Sequence, residues 1–140
     1  MKKKLCPAFL FVLAVFAFSS CSPSVVMQTT AGEFKTGALR PRADYSPEQI
    51  PASGTEFLAI PLVSDDEIDM TAVTNYFLVD NQTSLSANGN RGTLKFIAYE
   101  CPKGHPEQVQ PVLVFEVGES DDDNFYPMTI QVGGQTFEFS

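Results

Sequence analysis

The 140-residue chain carries 17 acidic and nine basic residues, which gives a formal net charge of −8 with its single histidine neutral. Because a strongly acidic surface repels phosphate backbones, the composition argues against nucleic acid as a partner. The length suits one domain with its own hydrophobic core.

The amino terminus has the three parts of a secretory signal peptide. A basic cluster at residues 2–4 precedes an almost wholly apolar run at residues 5–18, and two small serines follow at 19–20. The apolar run has 14 residues, fewer than the roughly 20 that a membrane-spanning helix needs. The pattern therefore predicts a cleaved signal over residues 1–20 rather than a permanent span.

Cys21 follows directly, within the stretch FSSCSPS. A small residue before a cysteine at the end of an apolar run resembles the lipobox of bacterial lipoproteins. The resemblance implies cleavage before Cys21, diacylation of its thiol and acylation of the new amino terminus. Several acyl chains would anchor the protein stably in a membrane, since a single acyl chain gives only marginal membrane binding. The alternative is an ordinary signal that releases a soluble product.

Removal of the signal changes the charge and the cysteine content. The three lysines of the signal leave with it, so six basic residues remain against 17 acidic ones and the net charge becomes −11. Cys6 is lost and Cys21 takes the lipid, so no intramolecular disulfide to Cys101 is expected. Ser22 after the anchor cysteine, with no acidic run beside it, is compatible by family analogy with an outer-membrane destination if the host is diderm.

Residues 21–54 are predicted to form the lipidated cysteine and a flexible tether. Ser, Thr, Pro and Gly recur throughout the segment, and Pro41, Pro47 and Pro51 are too closely spaced for a helix. About 30 flexible residues have an end-to-end distance of roughly 30 Å, which would lift the domain clear of lipid headgroups. A short extended piece near residues 33–39 is the one part that could pair with the sheet.

Residues 55–140 read as short strands separated by Asn, Gly, Asp and Pro. The predicted strands are 57–63, 74–80, 93–100, 112–117, 128–132 and 135–139. Pro61 favours an edge position or a bulge in the first of them. Segments of this length and spacing predict an all-β sandwich or barrel.

The last two strands predict a specific hairpin. Gly133 and Gly134 suit a two-residue turn with positive φ at both central positions. With that loop, the paired residues are 132 with 135, 130 with 137 and 128 with 139, and the last two pairs share one face. Turn chemistry and apolar pattern therefore agree on one register.

Two acidic clusters are the first candidates for chemistry. Adjacent carboxylates supply the oxygen ligands that calcium prefers, but neither cluster has the alternating ligands, central Gly and distal Glu of an EF-type loop. We therefore expect solvated loop tips. The weak metal candidates are Asp65, Asp66, Asp121, Asp122 and Asp123.

Cys101 and His105, in the stretch CPKGH, are the second candidate. A Cys–His pair can act as nucleophile and base, or as two metal ligands. A structural zinc site needs four ligands, however, and neither an orienting group nor an oxyanion hole has a motif in this sequence. A loop with a half-buried thiol is the favoured interpretation, so no catalytic residue, enzyme activity or cofactor is predicted.

Two strand patterns stand in order along this region: Tyr76, Leu78 and Asp80 in NYFLVDNQT, then Leu113, Phe115 and Val117 in PVLVFEVGE. This order of patterns resembles the telokin-like, immunoglobulin-fold domain of small bacterial lipoproteins and exported proteins. The resemblance implies an antiparallel two-sheet immunoglobulin-like sandwich at the cell envelope and brings no catalytic residues. The predicted function is a lipid-anchored, non-enzymatic binding module for an unidentified envelope protein or ligand. A calcium or small-ligand binder that uses the acidic loops is the alternative, followed by a Cys–His enzyme.

Overall fold

The computed structural model describes residues 24–45, 48–101 and 108–139, which form an all-β, antiparallel domain. Its strands are β1 Val26–Thr29, β2 Gly32–Thr36, β3 Arg40–Pro41, β4 Thr55–Val63, β5 Thr83–Ala87, β6 Asn90–Glu100, β7 Gln110–Gly118, β8 Met128–Val132 and β9 Gln135–Phe139. They follow one hydrogen-bonded path, β1-β2-β4-β7-β6-β5-β8-β9, with β3 also against β4. The sheet curls into a nearly closed barrel around the main core. The predicted all-β class is confirmed.

Three strands of the sheet, β1, β2 and β3, lie within residues 26–41, so the prediction of a flexible tether is wrong for this segment. β1 and β2 form a hairpin whose register runs from Val26 opposite Lys35 to Thr29 opposite Gly32. Met27 lies opposite Phe34, and both side chains are fully buried in the core. The expected pairing near residues 33–39 is present in β2, which continues the sheet onto β4.

The segment after β3 covers part of the outer face of the sheet. Phe57, Ala59, Val112 and Val114 form a second apolar cluster there, on β4 and β7. The ring of Tyr45 packs edge-on against Phe96 with 5.2 Å between centroids, and Phe96 packs edge-on against Phe57 at 5.5 Å. Edge-to-face aromatic contacts of this kind stabilise beyond the area they bury. We call residues 40–45 the strap.

The region predicted as a strand at residues 74–80 is helical instead. Helix α1, Met70–Thr74, begins at Asp69, whose carboxylate accepts a hydrogen bond from the Ala72 amide at 3.1 Å, and a π-helix, Asn75–Asp80, continues it. The buried residues are Val73, Tyr76 and Phe77, at the i, i+3, i+4 spacing of a helix face. One of the two patterns behind the telokin-like resemblance is therefore not a strand.

β4 is an interior strand, so the edge position predicted from Pro61 is also wrong. β7 pairs along one side of β4, while β2 and β3 pair along the other. Pro61 lies between the β2 and β3 pairings, where its missing amide proton interrupts no ladder bond on that side. Its carbonyl still accepts from the Gly37 amide at 2.8 Å.

The remaining predicted strands are confirmed, and β5 is a further strand that was not predicted. Segments 93–100 and 112–117 lie within β6 and β7, while β8 and β9 have the predicted bounds and register. Of the two turn glycines, only Gly133 has positive φ, at 58°. β5 was missed although its turn to β6, Asn88–Gly89, has positive φ at both residues and is a strong hairpin signal.

Glu116 on β7 binds the residues at the end of the predicted tether, just before β4, through hydrogen bonds. Its Oε2 accepts hydrogen bonds from the Thr55 hydroxyl at 2.6 Å and the Ala52 amide at 2.7 Å, and Lys95 lies 3.5 Å from Oε1. The Thr55 hydrogen bond, then the Ala52 amide, with a smaller contribution from Lys95, lower the pKa of the Glu116 carboxyl against the opposing effect of its burial. The residues just before β4 are thereby held on the domain.

We expect Glu116→Gln to lower the free energy of unfolding at neutral pH by about 1–3 kcal/mol, as hydrogen bonds to a charged group are weakened. A carboxyl with a lowered folded-state pKa stabilises the fold above its ordinary pKa, and this contribution is lost as pH falls through the folded-state value. The difference in the free energy of unfolding between wild type and variant should therefore be largest at pH 7. It should shrink as the pH falls below 4.5, the ordinary pKa of a glutamate carboxyl. Urea unfolding at several pH values measures this difference, and a difference that does not change with pH would contradict the role of the charged carboxylate.

Candidate functional site

The two ends of the β4–β7 pair carry different groups of side chains. Because these strands are antiparallel, Thr55 at the start of β4 lies opposite Gly118 at the end of β7. The loop after β7 therefore lies beside Glu56, and we call this the Glu56 end. The other end holds Val63, where Lys35 on β2 lies between Val63 and Val26, and we call it the Val63 end.

The fold separates the two predicted acidic clusters. Asp65 and Asp66 follow Val63, whereas Asp121–Asp123 follow Gly118 at the Glu56 end. The eight residue steps from Thr55 to Val63 correspond to about 27 Å at the usual rise of a strand. A single site shared by both clusters is therefore excluded.

The loop of residues 119–127 is held by hydrogen bonds from its own backbone amides to its own side chains. Side-chain oxygens of Ser120, Asp122 and Asn124 each accept from the amide two residues further on, at 2.9–3.1 Å. Asn88, in the β5–β6 turn, donates to Asp122 and to the Asn124 carbonyl. These contacts commit Asp122 to the loop itself, so its carboxylate is not directed at a common centre with its neighbours.

The acidic loop is exposed, as predicted, but it does not join neighbouring strands. Residues 121–124 are exposed, and the loop connects β7 to β8, which lie in different parts of the sheet. Within the described ranges, no group of three or more His, Cys, Asp or Glu residues is placed to hold a metal ion. The fold therefore brings none of the five metal candidates into a ligand set.

A polar cavity of about 270 Å³ lies at the Glu56 end. Its lining comprises Arg42, Glu56, Glu119, Ser120 and Asp121. Arg42 comes from the strap, Glu56 from β4 and the other three from the loop after β7. Three chain segments that are distant in sequence therefore converge on one cavity.

Glu56 is the buried group of this cavity. Its side chain is only 8% exposed. Oε2 accepts from the Ser120 amide at 3.2 Å, while Oε1 receives no hydrogen bond from any described residue. The Nε of Arg42 lies 3.6 Å from Oε1, which is an ion-pair distance but too long for a hydrogen bond. A buried carboxylate oxygen is thus left without a donor, an arrangement that proteins usually avoid.

Arg42 spans the rim of the cavity. Its NH2 group donates to the Ser120 carbonyl at 3.1 Å and to Asp123 at 3.2 Å, and its guanidinium lies 6.0 Å from the centre of the Phe125 ring. The side chain of Arg42 is 47% exposed and that of Asp123 is 89% exposed. Because exposed ion pairs are weak and screened, Arg42 is held loosely compared with the buried Glu56.

Sequence reasoning missed Arg42 and Glu56. Arg42 lay inside the predicted tether, and its partners follow it by more than ten residues. Glu56 could have been recognised in the sequence, because it directly precedes the apolar run of β4. Its neighbour Phe57 faces outward, so Glu56 faces the inside of the domain. A carboxylate at an inward position of a strand marks a polar group that the core must accommodate.

The second sequence candidate is only partly within the described residues. Cys101 is exposed just after the end of β6, so the expectation of a half-buried thiol is wrong. His105 and the rest of the turn, residues 102–107, lie outside them, as do Cys21 and the predicted signal. No helix in the described part of the chain is long and apolar enough to cross a membrane.

A second concavity, of about 520 Å³, lies on the outer face of β5, β6 and β8. Its lining consists of Ser84, Leu85, Ser86, Arg91, Gly92, Thr93, Thr129 and Gln131. The polar members form two cross-strand rows, Thr93–Ser84–Gln131 and Arg91–Ser86–Thr129. This is a polar sheet face without a buried ionisable group among its lining residues, so the Glu56 cavity is the stronger candidate site.

Comparison with known proteins leaves the site to be interpreted from its own chemistry. No known protein family, curated protein or solved structure matches this chain. The function is therefore inferred from the amino-terminal pattern together with the geometry of the Glu56 end.

Proposed function

We propose that this chain is an exported bacterial lipoprotein, anchored through acyl chains on Cys21, whose domain is a non-enzymatic binding module at the cell envelope. In a diderm host the expected membrane is the outer one. The observation that carries the proposal is the short distance along the chain between the lipobox-like cysteine and the fold. β1 begins at Val26, only five residues after Cys21.

This short connection sets the orientation of the domain. Five extended residues reach at most about 18 Å. The Glu56 end lies about 27 Å along β4 from the Val63 end, where Val26 is located. The lipid is therefore nearer the Val63 end, and the Glu56 end faces away from the membrane.

The distribution of side chains supports this orientation. Val26 and Val63 are about half exposed on either side of Lys35, a combination compatible with a nearby lipid surface. The Glu56 end instead carries the polar cavity and the exposed acidic loop. A module that recruits a partner from the surrounding medium would present its binding site on that side.

We also propose that the curled sheet is related to the two-sheet immunoglobulin-like sandwich of telokin-like domains. Support comes from the second strand pattern, since Leu113, Phe115 and Val117 are all buried along β7. The helical segment at residues 74–80 gives no such support. The envelope setting that the resemblance implies agrees with the proposed anchor.

A quenching experiment on vesicles tests anchor and orientation together. The full chain, processed in a bacterial host and carrying Cys101→Ser, receives a single labelling site at Asp66→Cys or Asp121→Cys. A fluorophore at residue 66 should be quenched strongly by a quencher on lipid headgroups, and one at residue 121 much less. Both positions are exposed, so the labels differ mainly in their distance from the membrane.

The same two labels also show which results would contradict the proposal. Equal quenching at both positions, or stronger quenching at residue 121, would contradict the orientation. Absence of quenching at both would contradict the anchor itself. Unlabelled vesicles without quencher lipid provide the reference intensity.

A further inference from the structure

We infer that the cavity beside Glu56 binds an organic cation, namely an alkylammonium or guanidinium group, carried by a partner's basic side chain or by a free polyamine. This inference deepens the proposed function and rests on it only in taking the domain to be a binding module. Binding at the cavity is measurable in solution, independently of the membrane anchor.

The charge of the cavity selects a cation. Glu56, Glu119 and Asp121 contribute three carboxylates to its lining, and Arg42 contributes one positive charge. Asp122 and Asp123 lie in the same loop and add to the negative potential around the opening. A concave site lined by one sign of charge raises the local concentration of ligands of the opposite sign.

The size and spacing of the site favour an organic ligand over a bare metal ion. The cavity volume of about 270 Å³ is many times the roughly 10–15 Å³ that a single water requires. No three acidic groups in the described residues converge closely enough to hold a metal. An ammonium or guanidinium group carries three to five N–H donors and satisfies separate carboxylates within such a space.

The buried Glu56 carboxylate provides the independent evidence for a ligand. Its side chain is more than nine-tenths buried, it lines the cavity, and Oε1 lacks a hydrogen bond from any described residue. A ligand N–H donor would complete this carboxylate with a charge-assisted hydrogen bond. The acidic loop alone offers no such unfilled acceptor, because Asp122 and Asp123 already have donors.

Arg42 acts as an internal cation that the ligand displaces from Glu56. It lies 3.6 Å from Oε1 and covers that oxygen, but its hydrogen bonds go to Ser120 and the exposed Asp123. These rim contacts are solvent-exposed and therefore weak. An incoming cation takes the place of Arg42 beside Glu56, and the guanidinium of Arg42 remains with Asp123 or turns to solvent.

The test follows the Ser120 amide, which donates to Glu56 Oε2, by nitrogen–proton correlation NMR of the full chain in detergent. The probes are acetyl-arginine amide for a partner's side chain and spermidine for a free polyamine. Acetyl-citrulline amide is the neutral control of similar shape. A saturable shift of the Ser120 signal with either cation, and none with the citrulline compound, supports the site, and the tighter probe identifies the source of the cation.

Two substitutions separate ligand binding from a merely structural role. Glu56→Gln keeps the size of the side chain and should weaken cation binding by about tenfold or more, the scale expected when one member of a buried charged pair is removed. Arg42→Gln should strengthen it about twofold to fivefold, since a weak internal competitor is lost. Glu67→Gln at the Val63 end is the matched control and should leave affinity unchanged.

The outcomes that overturn the inference are distinct from failure of the anchor. Absence of a shift with both cations, an equal shift with the citrulline compound, or weaker binding in Arg42→Gln would each overturn it. A response of Ser120 to calcium chloride at lower concentration than to either organic cation would assign a metal instead. If Glu56→Gln does not fold, the affinity of Arg42→Gln for the cations still tests the inference. Arg42 lies on the exposed rim of the cavity, so its replacement should leave the fold intact.

Discussion

Replacing Phe34 with Ala is expected to lower the free energy of unfolding by about 3–5 kcal/mol, the usual cost of emptying a buried phenylalanine site. Phe34 is 1% exposed and belongs to the main core together with Met27, which lies opposite it in the β1–β2 hairpin. A loss of this size is a large part of the 5–15 kcal/mol that stabilises a typical domain. Urea unfolding of the purified chain measures it.

The exposed neighbour Lys35 supplies the control for this measurement. Lys35→Ala should change stability by no more than about 0.5 kcal/mol, as for most surface substitutions. If residues 21–54 were a tether, Phe34→Ala would be as mild as Lys35→Ala. Equal midpoints for the two variants would therefore contradict the hairpin as part of the fold.

The carboxyl-terminal hairpin shows what sequence predicts well. The bounds of β8 and β9 and all three quoted residue pairs are confirmed. Each strand there alternates apolar and polar residues, and a glycine turn fixes the loop length, so two independent local signals agree. β6 and β7 were found for a different reason, because they are long strands rich in apolar residues.

The amino-terminal hairpin was missed because its local signal is weak. β1 and β2 have four and five residues and bury only Met27, Phe34 and Thr36. Their stability comes from the β4 strand, which follows them by about twenty residues. Isolated two-stranded hairpins are marginal, so tertiary contacts decided this structure rather than local pattern.

Residues 74–80 are helical but were predicted as a strand, because their apolar residues fit the period of a strand as well as that of a helix. Tyr76 and Leu78 alternate with Phe77 and Val79, as in a strand. Burial follows the helical spacing instead, with Tyr76 and Phe77 inside and Leu78 and Val79 exposed. The Asp69 cap was the available start signal.

The candidate site was less predictable than the fold. The acidic loop was visible in sequence, but Glu56 and Arg42 depend on the β4–β7 register and on the strap crossing the sheet. Contacts between residues so distant along the chain leave little local trace. The sequence did show one feature of the site, which is the unusual position of the Glu56 carboxylate at the start of the apolar strand β4.

Replacing Cys21 with Ala is expected to have the largest effect on location. If the thiol carries the acyl chains, its loss removes both the lipid and the processing site, and the protein leaves the membrane fraction. Stable attachment needs more than one acyl chain, and the proposal places every acyl chain on the residue that is replaced.

The most direct test is fatty-acid labelling combined with membrane fractionation of wild type, Cys21→Ala and Cys101→Ser. The lipoprotein proposal predicts that wild type and Cys101→Ser are labelled and pelleted with membranes, whereas Cys21→Ala is unlabelled and soluble. A Cys21→Ala protein that remains labelled and membrane-bound would contradict the anchor and, with it, the orientation of the Glu56 end.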